Sequence, residues 1–494
     1  MHNRLNKVKM KVLRFGKLNI LLFLLFSSTI LMGQVPTSLY FMRGVPQANR
    51  INPAYQPGCK LYLGLPTASP LRFDITSGTL AYDDVIFKSS TTDSLITFLH
   101  PEADKQVFLD KLKPVNHITT DLGISIGSLG FKANKSFISF DITTRLESDI
   151  TYPGDLARML IQGTDTAGSF DLRGTGLNLS LYNELSLGWS RTFGEKLSFG
   201  VRGKILFGLV NVHTNSSAVN LTTSDSLWTI RSDMQINAST PFTTPDVMGN
   251  TFELSSFFED LGNISIDPTD FYTRPYDFFN FQNVGYALDL GASFRPIPQI
   301  QLSASALDLG FMNWAKNTVT MNVVGEYEFR GIEVVPFQSV DSMMFQNMAD
   351  SLAGFVSGEI GSAYSYRLNP KVLVGAAFYP IPNISLGLMS RTDFLEDGPL
   401  EKLTATANLT TGRFINLTVT YSYFLGYTKN LGAGLSINLG PLNLYVISDN
   451  IGNNLLWPQE SQSVNVWFGM NLCFGYRHPK VKKAVEIKDR PLII

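Results

Sequence analysis

The clearest pattern of apolar and polar positions lies near the C-terminus, between Leu431 and Gly475. Leu435, Ile437 and Leu439 alternate with Ser436 and Asn438; Gly440-Pro441 interrupts, and Leu442, Leu444 and Val446 resume. After a second break at 449–454, Val464, Val466, Phe468, Met470, Leu472 and Phe474 alternate with Asn465, Gly469 and Asn471. Apolar residues at every second position over ~10 residues, with turn residues between runs, mark strands with one face in lipid and one in water.

The same grammar recurs upstream. Ile138, Phe140, Ile142, Leu146 and Ile150 oppose Ser139, Asp141, Thr143, Arg145, Glu147 and Asp149. Leu177, Leu179, Leu181, Leu185, Leu187 and Trp189 oppose Asn178, Ser180, Glu184 and Ser186. Leu197, Phe199, Val201, Ile205, Phe207 and Leu209 oppose Ser198, Gly200, Arg202, Lys204 and Gly208. Val284, Tyr286, Leu288, Leu290, Ala292 and Phe294 oppose Gly285, Asp289 and Ser293. These runs far exceed the ~5–6 residues of a globular strand, which favours a barrel over a sandwich. An ordinary antiparallel sheet is the competing reading of any single run.

Further strands are predicted at 60–65 and 71–76, joined by a kink at Pro66 and Pro70, and at 361–368, 371–391, 402–411 and 415–424. The run Phe294-Arg-Pro-Ile-Pro-Gln-Ile-Gln-Leu is echoed by Phe378-Tyr-Pro-Ile-Pro-Asn-Ile-Ser-Leu, each a strand end, a proline turn and a returning strand. Tight turns at 133–136 and 193–196 contrast with insertions at 77–118, 151–170, 213–282 and 315–358. Short helices are predicted within 77–118, at Asp155–Ile161, near 251–261 and at Ser342–Phe355, and a small hairpin at 219–236. Short turns on one side and helix-containing loops on the other match periplasmic turns and external loops. The expected fold class is all-β: a transmembrane antiparallel β-barrel, fourteen-stranded if 317–330 is loop, sixteen-stranded if it joins the wall and 371–391 is split.

Composition fits. Charged residues are 16% of the chain, against ~25% in soluble domains, yet mean hydropathy is only +0.06 because a barrel hides its apolar residues at alternate positions. Beyond the N-terminus no run of ~20 apolar residues exists, which excludes a bundle of membrane helices. A net charge of −1 gives no electrostatic case for nucleic acid.

Residues 1–33 read as a signal peptide: Lys7, Lys9, Lys11, Arg14 and Lys17, then the apolar stretch Leu18–Met32, then a small-residue exit at Gly33-Gln34. An uncleaved anchor is the alternative, although ~15 apolar residues are short for a span. The barrel is expected over 59–476, and 477–494 is a tail, either a periplasmic extension or a disordered end. Cys59 and Cys473 lie near the two ends of the wall. Cys59 shares parity with Leu61 and Leu63, Cys473 with Asn471, so the alternation predicts opposite faces and no disulfide.

Catalytic and metal motifs are absent, and the five histidines are dispersed. A barrel enzyme assembled only in space is the remotest reading. The candidates are lumen charges on the polar parity of their strands: Arg145, Glu147, Asp149, Glu184, Arg202, Lys204 and Asp289. Their mixed signs suit a paired network that fills the interior; the functional alternative is a polar constriction that selects what passes. The aromatic cluster Phe271, Tyr272, Tyr276, Phe278, Phe279 and Phe281 reads as rim packing, an interfacial anchor or a hydrophobic collecting surface.

Three stretches carry a resemblance: Pro46-Gln-Ala-Asn-Arg-Ile-Asn52-Pro53-Ala54, Ser305-Ala-Leu-Asp308-Leu-Gly310-Phe-Met-Asn-Trp314, and Gly440-Pro441-Leu-Asn-Leu-Tyr445-Val-Ile-Ser-Asp449-Asn450. With the strand pattern, the chain resembles an uncharacterised outer-membrane barrel family of the Bacteroidota, close in style to PorV and PorP/SprF-like proteins and more distantly to FadL-type channels. The resemblance implies that 34–58 is an N-terminal plug-like segment with Asn52, Pro53 and Ala54 as its motif. It implies a monomeric barrel in the outer membrane, surrounded by its lipid and needing no cofactor. FadL-type relatives imply uptake of a small hydrophobic ligand; PorV- and PorP-like relatives imply a scaffold for secretion or surface proteins.

Overall fold

Alternation dictates the wall. In a strand successive side chains point to opposite faces, so each run puts Leu, Phe and Val outward and Ser, Thr, Asn and charged residues inward. The computed structural model describes residues 37–475, apart from 43, 90, 92–93, 163–167, 225–226, 242–272, 275–277, 330–355, 361, 396–397, 412–413, 425–428 and 452–462. The predicted leader at 1–33, the tail at 477–494, and the helices expected near 251–261 and at Ser342–Phe355 fall outside the described residues.

The fold is all-β, a closed antiparallel barrel of fourteen strands. The first, β1, is interrupted: Leu61–Gly64 and Leu71–Ser77 both lie between the same two neighbours. The wall continues through β2 (Val115–Ala133), β3 (Ser136–Pro153), β4 (Gly176–Phe193) and β5 (Leu197–Thr223). Then follow β6 (Val284–Ile297), β7 (Ile300–Trp314), β8 (Lys371–Ile381), β9 (Ile384–Leu395) and β10 (Gly398–Thr411). The last four are β11 (Ile415–Phe424), β12 (Lys429–Leu439), β13 (Leu442–Ser448) and β14 (Ser463–Phe474). Leu63 pairs with Leu129 on one side and Leu472 on the other, which closes the sheet.

The register shows the two faces. On β9, Leu386 and Leu388 are exposed to the membrane side while Ser385 and Met389 are buried. On β11 the polar Asn416, Thr418, Thr420 and Ser422 are all buried and Leu417, Val419 and Tyr421 are exposed. No helix among the described residues is long and apolar enough to cross a membrane.

Six tight connections, β2–β3, β4–β5, β6–β7, β8–β9, β10–β11 and β12–β13, gather at one end. The long connections gather at the other, where Tyr82–Val85, Lys105–Lys111 and Gly154–Gln162 are helical. The wall segment β5 runs further than its sequence pattern suggested. Its first part pairs with β6, and its last part pairs with Trp228–Ser239, which in turn pairs with Thr318–Phe329. The strand-like stretch expected at 317–330 therefore extends the same sheet through Trp228–Ser239 and is not one of the fourteen strands that close the barrel. The proline-interrupted run at 371–391 divides into β8 and the start of β9.

One expectation is overturned. Cys59 and Cys473 sit on the same side, buried in one cluster with Tyr62 and Phe137. Parity placed Cys473 correctly inward. It failed at Cys59 because β1 begins only at Leu61, and the irregular backbone before it turns the side chain back into the lumen.

Candidate functional site

The N-terminal segment fills the lumen. Thr37–Leu39 and Pro46–Arg50 form short 3-10 turns, with Pro46 suited to a helix start, and nearly every described residue from 37 to 54 is buried. Its start is tied to Asp449, just past β13. Thr37 donates through N and Oγ1 to Oδ2 at 2.6 and 2.8 Å, and Ser38 N donates to Oδ1 at 3.0 Å. Lys402 Nζ of β10 lies 3.2 Å from the same Oδ2.

Further along, Gln47 and Asn471 exchange side-chain hydrogen bonds of 2.6 and 3.0 Å. Arg50 Nη2 donates to Asp141 Oδ1 at 2.8 Å, while Arg202 Nη2 donates to Asp141 Oδ2 at 2.6 Å. Each link crosses from plug to wall through a buried polar group, where leaving one member unpaired is costly.

The other contact is apolar. Leu39, Tyr40, Phe41, Met42, Val45, Ala48 and Ile51 of the plug form one buried cluster with wall residues that include Leu307, Leu373, Met389, Tyr445 and Trp467. Glycines make the room. A Cβ on Gly375 or Gly387 would lie 2.7 Å from the Phe41 ring, so that ring rests against bare backbone.

The motif Asn52-Pro53-Ala54 closes the plug. Asn52 Oδ1 accepts from Ala54 N at 3.0 Å, an Asx turn, and Asn52 Nδ2 donates to Tyr40 Oη at 3.3 Å. Gln56 then reaches the Lys135 carbonyl in the β2–β3 turn at 3.0 Å, so the chain leaves at the short-turn end.

On the long-loop side of the plug lies a layer of ion pairs. Lys204 contacts Asp289 at 2.8 Å and Asp308 at 2.6 Å, and Lys371 contacts Asp308 at 2.7 Å. Arg145 is paired with Glu147, with Glu184 at 3.3 Å and with Asp308 at 3.6 Å; Arg72 is paired with Asp121. With Arg50, Arg202 and Asp141, six cations face six carboxylates.

Of the sequence candidates, Arg145, Glu184, Arg202, Lys204 and Asp289 converge here and are buried. Glu147 lies at the edge of the layer, and Asp149 is near the rim, 3.5 Å from His117. Asp308, Asp141, Lys371, Asp121, Arg72 and Arg50 complete the layer and lie outside the candidates that the sequence offers. Asp308 escaped because a bulge moves it. The β6–β7 register shifts between Leu288 and Leu290, Asp308 takes φ +56°, and its side chain joins Leu307 on the inward face. Asp289 Oδ1 accepts from Asp308 N at 2.8 Å and holds the bulge. Asp141 does stand on the polar parity of its strand.

Beyond the ion layer, Tyr182, Trp314, Met312 and Leu368 form a second buried cluster with Tyr364 and Tyr366 packed on it. Two small lumen cavities flank the layer. One of about 50 Å³ lies between Arg50, Ile51, Arg145, Arg202 and Asp308. The other, about 100 Å³, is lined by Asp121, Glu147, Asp149, Asn178 and Lys371. A drug-sized ligand needs ~300–1,000 Å³, so neither holds one in this closed arrangement. The larger apolar hollow, about 780 Å³, is on the outer wall beside Val374, Leu388 and Tyr421.

Of the aromatic cluster, Phe271, Tyr272 and Tyr276 lie outside the described residues. Phe278 packs against Ile126 and Ile142, and its carbonyl accepts from Asn183 Nδ2 at 2.7 Å. Asn183 alternates in phase with the exposed Leu187, so Phe278 covers the outside of the wall, not the lumen.

The family profile matching this chain spans residues 53–449. The chain belongs to DUF5723, a family of unknown function. No curated protein sequence matches it. Among solved structures it is similar to a Pseudomonas aeruginosa FadL homologue, at 10% identity and TM-score 0.42, covering 91% of this chain and 100% of that one. It is similar to the Ralstonia pickettii toluene transporter TbuX, at 8% identity and TM-score 0.38, covering 89% and 94%. The Pseudomonas putida toluene transporter TodX matches at 8% identity and TM-score 0.38, covering 90% and 95%.

Proposed function

We propose that this DUF5723 protein is a plugged outer-membrane channel for passive uptake of a small hydrophobic compound, with 37–54 as its gate and the short-turn end in the periplasm. The observation that carries this reading is the apolar patch inside the lumen. A water-filled pore needs a polar lining, whereas here Leu307, Leu373, Met389, Tyr445 and Trp467 face inward and pack against apolar residues of the plug. Withdrawing the plug would uncover an apolar surface suited to an apolar solute. The buried polar ties of the plug, to Asp449, Asn471 and Asp141, are exchangeable hydrogen bonds and ion pairs.

A second reading is a non-transporting scaffold that holds secretion or surface proteins at its loops. The six-against-six ion layer and the small lumen cavities favour it, because a charge-balanced, packed interior serves rigidity rather than passage.

The test is to purify the protein in detergent, identify what accompanies it by mass spectrometry, and measure transfer of an apolar monoaromatic probe into proteoliposomes. An enriched small hydrophobe together with protein-dependent transfer supports uptake. A stoichiometric protein partner, no bound hydrophobe and no transfer above empty liposomes supports the scaffold.

A further inference from the structure

The two cysteines bracket the seam where the barrel closes. Cys59 stands two residues before Leu61, where β1, the first wall strand, begins, and Cys473 is in β14, the last. These strands are neighbours: Tyr62 pairs with Cys473 and Leu61 with Phe474, and Lys60 N donates to the Phe474 carbonyl at 2.8 Å. Both thiols are buried, 1% and 2% exposed, and share one cluster with Tyr62 and Phe137. Both are unoxidised in this structure.

Position gives the pair its chemistry. The chain has no other cysteine, so neither thiol has a competing partner within it. The seam residues lie at the end where the six tight turns gather, which is the periplasmic end on the reading proposed above. Disulfides form and persist in that compartment. Burial then decides when the bond can form, because a protein oxidant reaches these sulfurs only while β1 and β14 are apart.

We propose that Cys59 and Cys473 form a disulfide during export that joins the first and last wall strands before the barrel closes. The donor is a periplasmic protein disulfide. The thiolate of one cysteine attacks a donor sulfur, giving a mixed disulfide, and the second cysteine then displaces the donor. Two S–H bonds and the donor's S–S bond break; the Cys59–Cys473 S–S bond forms, and the donor leaves as a dithiol carrying the two electrons and two protons. The crosslink holds the seam strands together in the unassembled chain, where the loop between them is longest and its closure entropy largest. This inference rests on the outer-membrane placement and is independent of what the barrel carries.

The test uses the full chain, exported by its host and recovered from membrane fractions. The protein is denatured in the presence of an alkylating reagent, with and without prior reduction, and its intact mass is measured. Without reductant the outer-membrane protein is expected to take up no alkyl group, and after reduction two. Cys59→Ser and Cys473→Ser are each expected to take up one without reductant. Two alkyl groups on unreduced wild-type protein from the outer membrane would overturn the disulfide. Fractionation reports the placement separately, so recovery of a disulfide-free protein in another compartment counts against the placement first. The wild-type measurement stands even where a serine variant fails to assemble.

Discussion

Gly200 and Gly291 stand directly opposite each other on β5 and β6, and together they form the seat on which Pro53 lies. A Cβ at Gly200 would come within 2.1 Å of the Pro53 carbonyl oxygen, and one at Gly291 within 2.4 Å of Asn52 Oδ1. The nearest atoms are plug backbone and the Asx-turn oxygen, which cannot swing aside. Gly200→Ala or Gly291→Ala should therefore displace the plug at a cost of ~1–3 kcal/mol, the usual penalty of overpacking. The wall should survive, since both residues face inward and keep their ladder hydrogen bonds. Limited proteolysis checks this: cleavage before residue 58 should accelerate, while the unheated protein still runs as a folded barrel on a gel.

Asp141 is the joint between plug and wall. It receives Arg50 from one and Arg202 from the other and is 1% exposed. Asp141→Asn leaves the buried Arg202 and the partly buried Arg50 without their carboxylate, so a loss of ~3–5 kcal/mol is expected. Arg50→Met removes one cation but leaves Asp141 paired with Arg202, so its cost should be clearly smaller. Denaturant midpoints of the two variants give the order directly. Equal midpoints would mean that Arg50 and Arg202 are not separable.

What the alternation could show, it showed wherever the ladder is regular. Inward Ser385, Thr418 and Arg202 and outward Leu388, Val419 and Phe199 follow from parity alone. Parity fails where the backbone slips. At Asp308 a bulge shifts the phase by one residue, and at Cys59 the strand has not yet begun. The plug was visible as Asn52-Pro53-Ala54 only through resemblance, because irregular chain has no period to read. Its seat was less visible still: Gly200, Gly291, Gly375 and Gly387 look like ordinary strand glycines until their neighbours are known. Ion-pair partners from distant strands, such as Lys371 with Asp308, likewise depend on closure of the sheet.

Asp308 combines a left-handed backbone with the most shared carboxylate of the ion layer. Asparagine tolerates φ +56° and alanine does not, by roughly 1–2 kcal/mol. Both replacements leave Lys204 and Lys371 short of a counter-charge. Asp308→Asn and Asp308→Ala should thus both lower the thermal midpoint, with alanine the worse. Asp308→Gly, which relieves the backbone, should fall nearer to asparagine. If all three coincide, the backbone contributes nothing and the loss is purely electrostatic.

Asp449 joins the start of the plug to the wall. It is fully buried, holds Thr37 and Ser38 of the plug, and neutralises Lys402 of β10. Asp449→Ala breaks both roles at once: the plug loses its first anchor and Lys402 is left as a buried unpaired cation. Pairing the change with Lys402→Met removes that cation while the anchor stays broken, so the double variant should recover most of the wall stability. Hydrogen exchange should then rise at 37–42 alone and remain slow at 402–409 and 416–423. With the wall intact and the plug loosened, the transport assay becomes decisive. If the plug gates a hydrophobic path, the double variant transfers an apolar probe faster than wild type. If the barrel is a scaffold sealed by its ion layer, exchange at 37–42 rises just the same and transfer stays at the level of empty liposomes.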